Sequence, residues 1–461
     1  MLRKAFGDKA FLRRVLVVAL PIIIQNGIAT FVAMLDNIMV GQVGQNPMSG
    51  VSIVNQLLFV FNLCIFGATA GAGIFTAQFF GCGDQDGVRY TFRFKCIIGL
   101  LLTLLGVTLF LTADEALIRL YLSGQGDPAD AADILQYGKI YLKIMLWGLP
   151  AFAISNAYAS TLRETGQTLV PMIASTTAVC VNLFLNWVLI FGNLGASALG
   201  VQGAAIATVI ARYVELLIVA AWTHLHGRAM PFIQGAYRSM GIPAPLLKKI
   251  ILKGMPLLLN EALWSTGMAT LNQCYSTRGL DVVPAQNISS TIYNLSSVVF
   301  LSMGNVVGII VGQMLGAGQK EEEVREADRR LILISVLSCF LFAGIMAGIS
   351  GIFPRLFDTT GSVRSLATQL ILISALFLPF NAYTTSAYFT LRSGGQTLVT
   401  FLFDSCFVWV VCVPLAFVLS RFTTVAILPL FFACQATDLI KCALGAYMIR
   451  QGKWIQNLTG K

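Results

Sequence analysis

Long apolar runs constrain this chain more than any other feature. Stretches of roughly twenty apolar residues recur along almost its whole length, and each is long enough to cross a hydrocarbon core of about 30 Å as a helix. Charged residues make up only 11% of the 461 residues, about half of the share in an ordinary soluble domain. The sequence therefore predicts an integral membrane protein.

The spacing of the apolar runs predicts twelve spans. Their approximate bounds are 14–41, 51–80, 93–113, 134–160, 168–192, 202–224, 248–276, 284–315, 329–352, 364–390, 397–420 and 423–449. A stretch rich in glycine and proline interrupts the pattern near the middle of the chain. We therefore expect an amino-terminal lobe over 1–226, a cytoplasmic linker over 227–247 and a carboxy-terminal lobe over 248–461.

The net charge of +10 has a topological explanation. Most basic residues fall in segments that lie on one side of the membrane if the amino terminus is cytoplasmic, which is the distribution that the positive-inside rule describes. Both termini are thus predicted to be cytoplasmic, and no nucleic-acid partner is needed to explain the charge. The first span, which begins near Val15, lacks a convincing cleavage site and is expected to stay uncleaved.

The two halves of the chain resemble each other in sequence. Gly73–Gly83 matches Gly308–Gly318 at an offset of 235, and Thr161–Val170 matches Thr390–Val399 at an offset of 229. With six spans in each half, both copies enter the membrane in the same sense and form parallel repeats. The predicted fold is an all-α membrane protein with twelve transmembrane helices in two six-helix lobes related by pseudo-two-fold symmetry. Such lobes can rock about a central cleft.

Several motifs carry a family resemblance that covers nearly the whole chain. They are Leu20-Pro21 with Met34–Gly41, the Gln-x-x-Gly-x-Gly ends at Gln78–Gly83 and Gln313–Gly318, Leu162–Thr168, Asn182–Trp187 and Leu199–Thr208. On these residues the chain is similar to the multidrug and toxic compound extrusion (MATE) family, bacterial type. The resemblance implies efflux of cationic or amphiphilic compounds, driven by protons or sodium, by a monomer in the bacterial inner membrane. It also implies that Asp36 takes part in coupling to the cation.

Five acidic residues fall well inside predicted spans, and they are Asp36, Glu215, Glu261, Asp404 and Asp438. An ionisable group there costs at least about 2.5 kcal/mol on insertion scales, so each should face protein or a wet cavity. We predict that Asp36, Glu261 and Asp404 are the cation-coupling residues, with Asp404 sharing a cation with Glu261. The alternatives are structural: a hydrogen-bond hub at Asp36, and a packing carboxylate at Asp404 bonded to Trp409 or to the backbone.

Polar and aromatic residues near these carboxylates are predicted to line the substrate cavity. They are Gln25, Asn26, Thr30, Asn37, Asn182, Asn186, Asn260, Trp264, Asn272 and Tyr293. Two further pairs of opposite charge, Arg212 with Glu215 and Asp438 with Lys441, stand three residues apart on matching helices. Each pair is expected to neutralise itself.

The sequence therefore predicts secondary active multidrug efflux by alternating access. Small organic cations or amphiphiles are the expected substrates, membrane lipids the surroundings, and H⁺ or Na⁺ the coupling ion, without another cofactor. One alternative is a flippase for a lipid-linked precursor, which would favour a basic cavity. Another is a membrane-embedded enzyme that modifies lipids, but no catalytic triad and no metal site is evident in the sequence.

Overall fold

The computed structural model describes residues 7–122, 128–357 and 359–460, and this part of the chain is helical with no strand. The helices of the first half are α1 Lys9–Gly41, α2 Gln45–Gly81, α3 Gln85–Thr112, α4 Asp114–Leu122, α5 Pro128–Met145, α6 Gly148–Glu164, α7 Leu169–Phe191 and α8 Val201–Leu225. Those of the second half are α9 Ala244–Ser276, α10 Val282–Gly316, α11 Glu321–Ile349, α12 Gly361–Ser393, α13 Thr397–Phe422 and α14 Ile427–Gln451.

Thirteen of these fourteen helices account for the twelve predicted spans. Ten helices are long and apolar enough to cross a membrane, and α5 with α6 forms an eleventh span that is bent by 49°. The twelfth is α9, whose 33 residues extend over about 50 Å at the helical rise. Three lysines and Glu261 make α9 less apolar than the others. The predicted all-α fold with six spans in each half is thereby confirmed.

The bend between α5 and α6 has a local cause in the sequence. Pro150 is the third residue of α6 and has no N–H to donate to the carbonyl one turn earlier. The chain instead makes tight turns there, with the Leu149 amide bonded to the Leu146 carbonyl at 3.3 Å. The span predicted over 134–160 is therefore two helices rather than one.

Helix α13 departs from α-helical geometry in its middle. Leu402–Cys406 and Val408–Cys412 form π-helical turns, just before Pro414, which cannot supply the amide that a regular helix would use at that point. Wide turns of this kind are rare and are found most often at functional sites. They place Asp404 on an irregular stretch of backbone.

The chain divides into two compact units. The first unit combines residues 1–23, 77–84 and 251–461, and the second combines 24–76 and 85–250. The lobe boundaries that the sequence predicts, at 226 and 248, stay a prediction. In the second unit, a cluster around Val54, Ile65, Leu149 and Ala205 is fully buried. Lipid is as apolar as these side chains, so close van der Waals packing rather than the hydrophobic effect holds the helices together.

Small residues allow the closest helix approaches in the first unit. A Cβ at Gly81 would overlap the backbone carbonyl of Gln313, and a Cβ at Gly316 would overlap that of Gln78. The two glycines and the two glutamines are matched by the internal repeat, so the same backbone crossing is made twice by equivalent residues. Glycine is required at both positions because only a missing Cβ lets the backbones meet.

Candidate cation-coupling sites

Asp36 lies in α1 of the second unit and is held by amides from α7. The Asn186 side-chain nitrogen donates to Asp36 Oδ1 at 2.8 Å. The Asn182 side-chain amide is oriented so that its nitrogen and its oxygen both have hydrogen-bond partners. The nitrogen then donates to both Asp36 oxygens at 3.1 Å, and the oxygen accepts from Thr208 of α8. Asn182 and Asn186 stand four residues apart, so they share one face of α7.

The donors around Asp36 are neutral. Amide N–H groups support a negative charge on the carboxylate without cancelling it, and no basic side chain of the described residues makes an ion pair with Asp36. In the same unit, the Tyr141 hydroxyl donates to the side-chain amide oxygen of Asn55 at 3.3 Å. A half-buried carboxylate that lacks a fixed counter-ion is suited to bind a proton or a cation.

The other predicted residues of the first span are less directly placed. Gln25, Asn26 and Thr30 are half-buried, and the Thr30 hydroxyl donates to the Asn26 carbonyl of its own helix at 2.9 Å. The side chain of Asn37 lies outside the described part of the structure. Thus, of the residues predicted around Asp36, the structure brings two directly onto the carboxylate, Asn182 and Asn186.

Asp404 forms a second cluster, within the first unit, with residues from α9 and α14. Asn260 donates to Asp404 Oδ2 at 3.1 Å, and the Lys441 ammonium lies 2.6 Å from Oδ1. Lys441 is only 8% exposed, and its charge also lies 5.5 Å from the centre of the Phe403 ring. The cation that neutralises Asp404 in this structure is therefore a lysine of the protein itself.

Asn260 also supports the π-helical backbone of α13. Its side-chain oxygen accepts from the Ser405 amide at 3.3 Å and from the Ser405 hydroxyl at 2.7 Å. One side chain of α9 thus fixes both the carboxylate and the irregular turn that carries it. The Trp409 indole donates instead to the Leu263 carbonyl at 2.9 Å, so it is not the partner of Asp404.

Glu261 lies next to this cluster without a direct bond to it. Its carboxyl group interacts electrostatically first with Arg392 and second with Asp404, and no hydrogen bond to its side chain occurs among the described residues. Asp404 and Glu261 therefore lie near each other, and the prediction that they share a cation stays a prediction. Lys441 and Arg392 supply positive charge to the same region.

Three predicted lining residues of the second half are exposed or bonded to other residues. Trp264 is exposed, and Asn272 accepts from Gln286 of α10 at 3.0 Å. The Tyr293 hydroxyl accepts from Asn381 of α12 at 3.3 Å, and its ring packs against a buried apolar cluster. The structure does not bring these three residues onto either carboxylate.

Sequence reasoning missed the role of Lys441, because its spacing from Asp438 suggested a local pair. Asp438 does interact electrostatically with Lys441, but the ion pair of Lys441 is with Asp404, 37 residues earlier. In the first half, Glu215 interacts electrostatically with Arg163 more strongly than with Arg212. In both cases a residue from another helix is the stronger partner, which a spacing of three residues does not predict.

Twelve helical spans, together with partly buried carboxylates that are bonded by amides and a lysine, define a multi-pass membrane protein of the transporter class. A family model described as MatE matches residues 21–188 and again residues 256–418. The two matches begin at Pro21 and Pro256, which are separated by the same offset of 235 as the internal repeat. The chain therefore belongs to the MATE family of transporters, which confirms the resemblance and excludes the enzyme alternative.

Individual relatives cover almost the whole chain. A probable multidrug resistance protein, NorM of Thermotoga maritima, is 25% identical over 443 residues, which are 95% of this chain and 91% of NorM. The probable multidrug resistance protein YoeA of Bacillus subtilis is 24% identical over 92% of this chain and 90% of its own length. The solved structure of a variant of the Vibrio cholerae MATE transporter VcmN superposes with a TM-score of 0.84 at 18% identity, covering 97% and 99% of the two chains. This likeness shows the shared fold.

Proposed function

We propose that this chain exports small organic cations or amphiphiles in exchange for protons or sodium ions that move inward. It works by alternating access in the bacterial inner membrane, as a monomer with both termini in the cytoplasm. Relatives named multidrug resistance proteins support export of drugs. The single observation that carries the coupling mechanism is the Asp36 carboxylate, which is bonded by neutral amides and lacks a basic partner among the described residues.

The proposed coupling is a competition for Asp36. When Asp36 is ionised, it attracts a cationic substrate; when it binds a proton or sodium ion, that attraction is lost and the substrate leaves. Exchange of one monovalent ion for one monovalent cation moves no net charge and gains nothing from the membrane potential. A second coupling ion would add about 2.3 kcal/mol per 100 mV.

Glu261 and Asp404 are proposed as the second place where a coupling ion acts. An ion at Asp404 has to compete with the Lys441 ammonium, which lies 2.6 Å from the carboxylate. The Lys441 ammonium competes strongly with a sodium ion for the Asp404 carboxylate. A proton that neutralises Asp404 and releases Lys441 is therefore the simpler exchange. Glu261, which has no bonded partner among the described residues, is the less hindered of the two carboxyl groups.

The test is substrate-driven ion flux in proteoliposomes that contain the purified chain. Asp36→Asn should abolish proton or sodium flux that is stimulated by a cationic drug, while the protein stays folded. The matched control is Asp8→Asn, because Asp8 is an exposed residue at the start of the same helix that accepts from the Phe11 amide at 2.8 Å, and an asparagine can accept the same bond. Normal coupled flux in Asp36→Asn would remove Asp36 from the mechanism.

The same liposomes separate the coupling ions and the flippase alternative. Omission of sodium leaves flux unchanged if protons are the coupling ion and stops it if sodium is. A flippase would translocate a fluorescent lipid-linked precursor in these liposomes and would show no drug-stimulated ion flux. That outcome would replace the proposed function.

A further inference from the structure

A carboxyl group that the proposed coupling does not use is buried between α11 and α12. Asp328 lies two turns from the start of α11 and is only 1% exposed. Arg325, one turn earlier on the same face of the helix, pairs with Glu321 at 2.6 Å. The adjacent Arg329 is exposed, and Arg330 pairs with Glu326. No ion pair to Asp328 is made within the described part of the chain. An isolated charge in such a place is costly, and the usual outcome is that the group becomes neutral.

A count of hydrogens at Asp328 points the same way. The Thr390 hydroxyl of α12 contacts Asp328 Oδ1 and also lies 3.0 Å from the Ser386 carbonyl oxygen one turn earlier. A hydroxyl carries a single hydrogen, so an ionised Asp328 and the Ser386 carbonyl would compete for it. If Asp328 carries a proton, it donates to Thr390 Oγ1, and Thr390 donates to Ser386. All of these atoms are then satisfied.

Among the described residues, Thr390 is the only hydrogen-bond partner of the Asp328 side chain. The hydroxyls of Ser335 and Ser386 are both fully buried and have no hydrogen-bond partner among the described residues. The phenol of Tyr383 in α12 interacts electrostatically with Asp328, and Arg450 of α14 interacts with the same phenol. From α10, apolar side chains such as Val307 and Ile310 share one buried cluster with Ala327 and Leu331 of α11, which lie on either side of Asp328 in the sequence.

The equivalent threonine of the first half provides an internal comparison. Thr161, which matches Thr390 in the repeat, accepts from Lys95 Nζ at 3.1 Å. Lys95 is completely buried, but it also pairs with Glu164. Each half thus brings a charged side chain to the same threonine, and in the first half a carboxylate neutralises that charge. At Asp328 the corresponding counter-charge is missing from the described residues.

We propose that Asp328 is a proton-binding site, separate from Asp36 and from the Asp404 cluster, whose proton bridges to the Thr390 hydroxyl in the conformation described here. The proton comes from bulk water and no covalent bond other than O–H is formed. Its release requires water to enter between α11 and α12, so protonation of Asp328 is tied to the packing of that interface. The inference does not depend on the role proposed for Asp36.

Infrared spectroscopy of the purified chain in lipid nanodiscs near neutral pH tests this site. A protonated carboxylic acid has a carbonyl stretching band that an ionised carboxylate lacks. Asp328→Asn should remove one such band, and Thr390→Val should shift it because the bridging hydroxyl is lost. Glu326→Gln, which changes an exposed acid on the same helix, should leave the band unchanged.

Two results would overturn the site, and neither concerns drug transport. The first is an Asp328→Asn spectrum that loses a carboxylate band and keeps every protonated-acid band. The second is an unchanged band frequency in Thr390→Val. This variant keeps the Asp328 carboxyl group, so it still tests the site if Asp328→Asn does not fold. Repeating the difference in the Asp36→Asn background keeps the two ideas apart, because the Asp328 band should persist there even if Asp36 proves irrelevant to coupling.

Discussion

The ion pair between Lys441 and Asp404 should be among the most consequential polar contacts in the second half. Removal of one partner of a buried pair typically costs about 3 to 5 kcal/mol, because the other charge is left uncompensated. Here the Asp404 side chain is 22% exposed, and it keeps its bond from Asn260. We therefore expect Lys441→Met to lower the free energy of unfolding by about 2 to 4 kcal/mol, somewhat less than for a fully buried pair.

A double-mutant cycle separates the pair from its surroundings. Asp404→Asn alone leaves the buried ammonium of Lys441 without its counter-ion and should also destabilise, whereas the double variant removes both charges. The double variant should therefore be less destabilised than the sum of the two single variants, by about 1 to 3 kcal/mol. Unfolding in mixed micelles with a graded denaturing detergent, followed by far-ultraviolet circular dichroism, measures all four proteins.

An exposed pair serves as the control for this cycle. Glu321 and Arg325 are four residues apart on α11, with side chains that are 59% and 36% exposed, and such pairs contribute only about 0.2 to 1 kcal/mol. Their cycle should give a coupling energy clearly below that of Lys441 with Asp404. Additive effects of Lys441→Met and Asp404→Asn, within about 0.5 kcal/mol, would refute the reasoning and mean that the buried pair is not an energetic unit.

Two further pairs of substitutions, each a variant with its control, test contacts made by the backbone. Gly81→Ala should destabilise by about 1 to 3 kcal/mol because its Cβ meets a carbonyl that cannot yield, whereas Gly344→Ala, which faces open space, should be neutral or stabilising by up to about 1 kcal/mol; equal effects in the same unfolding assay would contradict the crossing. Asn260→Ala should cost about 2 to 4 kcal/mol, more than the roughly 1 kcal/mol of Ser405→Ala, because it removes the bonds to both the Asp404 carboxylate and the Ser405 amide. Similar losses for these two variants would show that Asn260 does not bridge both groups.

The fold was largely predictable because its strongest determinant is local. Each span is encoded by its own apolar run, and the internal repeat divides the spans into two equivalent sets of six. Twelve spans can therefore be predicted without knowledge of how the helices pack. The departures are local too, but they depend on single residues. Pro150 breaks the fourth span, and the π-helical turns before Pro414 leave no trace in the apolar pattern of α13.

The candidate sites were less predictable because their contacts join distant parts of the chain. The carboxylates Asp36, Glu261 and Asp404 stand out as acids within apolar runs, and the asparagines of α7 stand out in the family motif. Which partner each acid selects depends on helix packing, so the sequence could not show that Lys441 belongs to Asp404. Asp328 was missed for another reason: it follows a run of charged residues and looks like the edge of a loop.

The wide turns of α13 make one side chain responsible for two properties. The Ser405 amide donates to Asn260 of a different helix, so the shape of the backbone there is set partly from outside. Any replacement of Asn260 therefore alters local helical geometry as well as polarity, and it redirects the neighbouring carboxylate. In comparisons of relatives, the residue at position 260 should therefore be considered together with the helical geometry of the segment that carries Asp404, because each depends on the other.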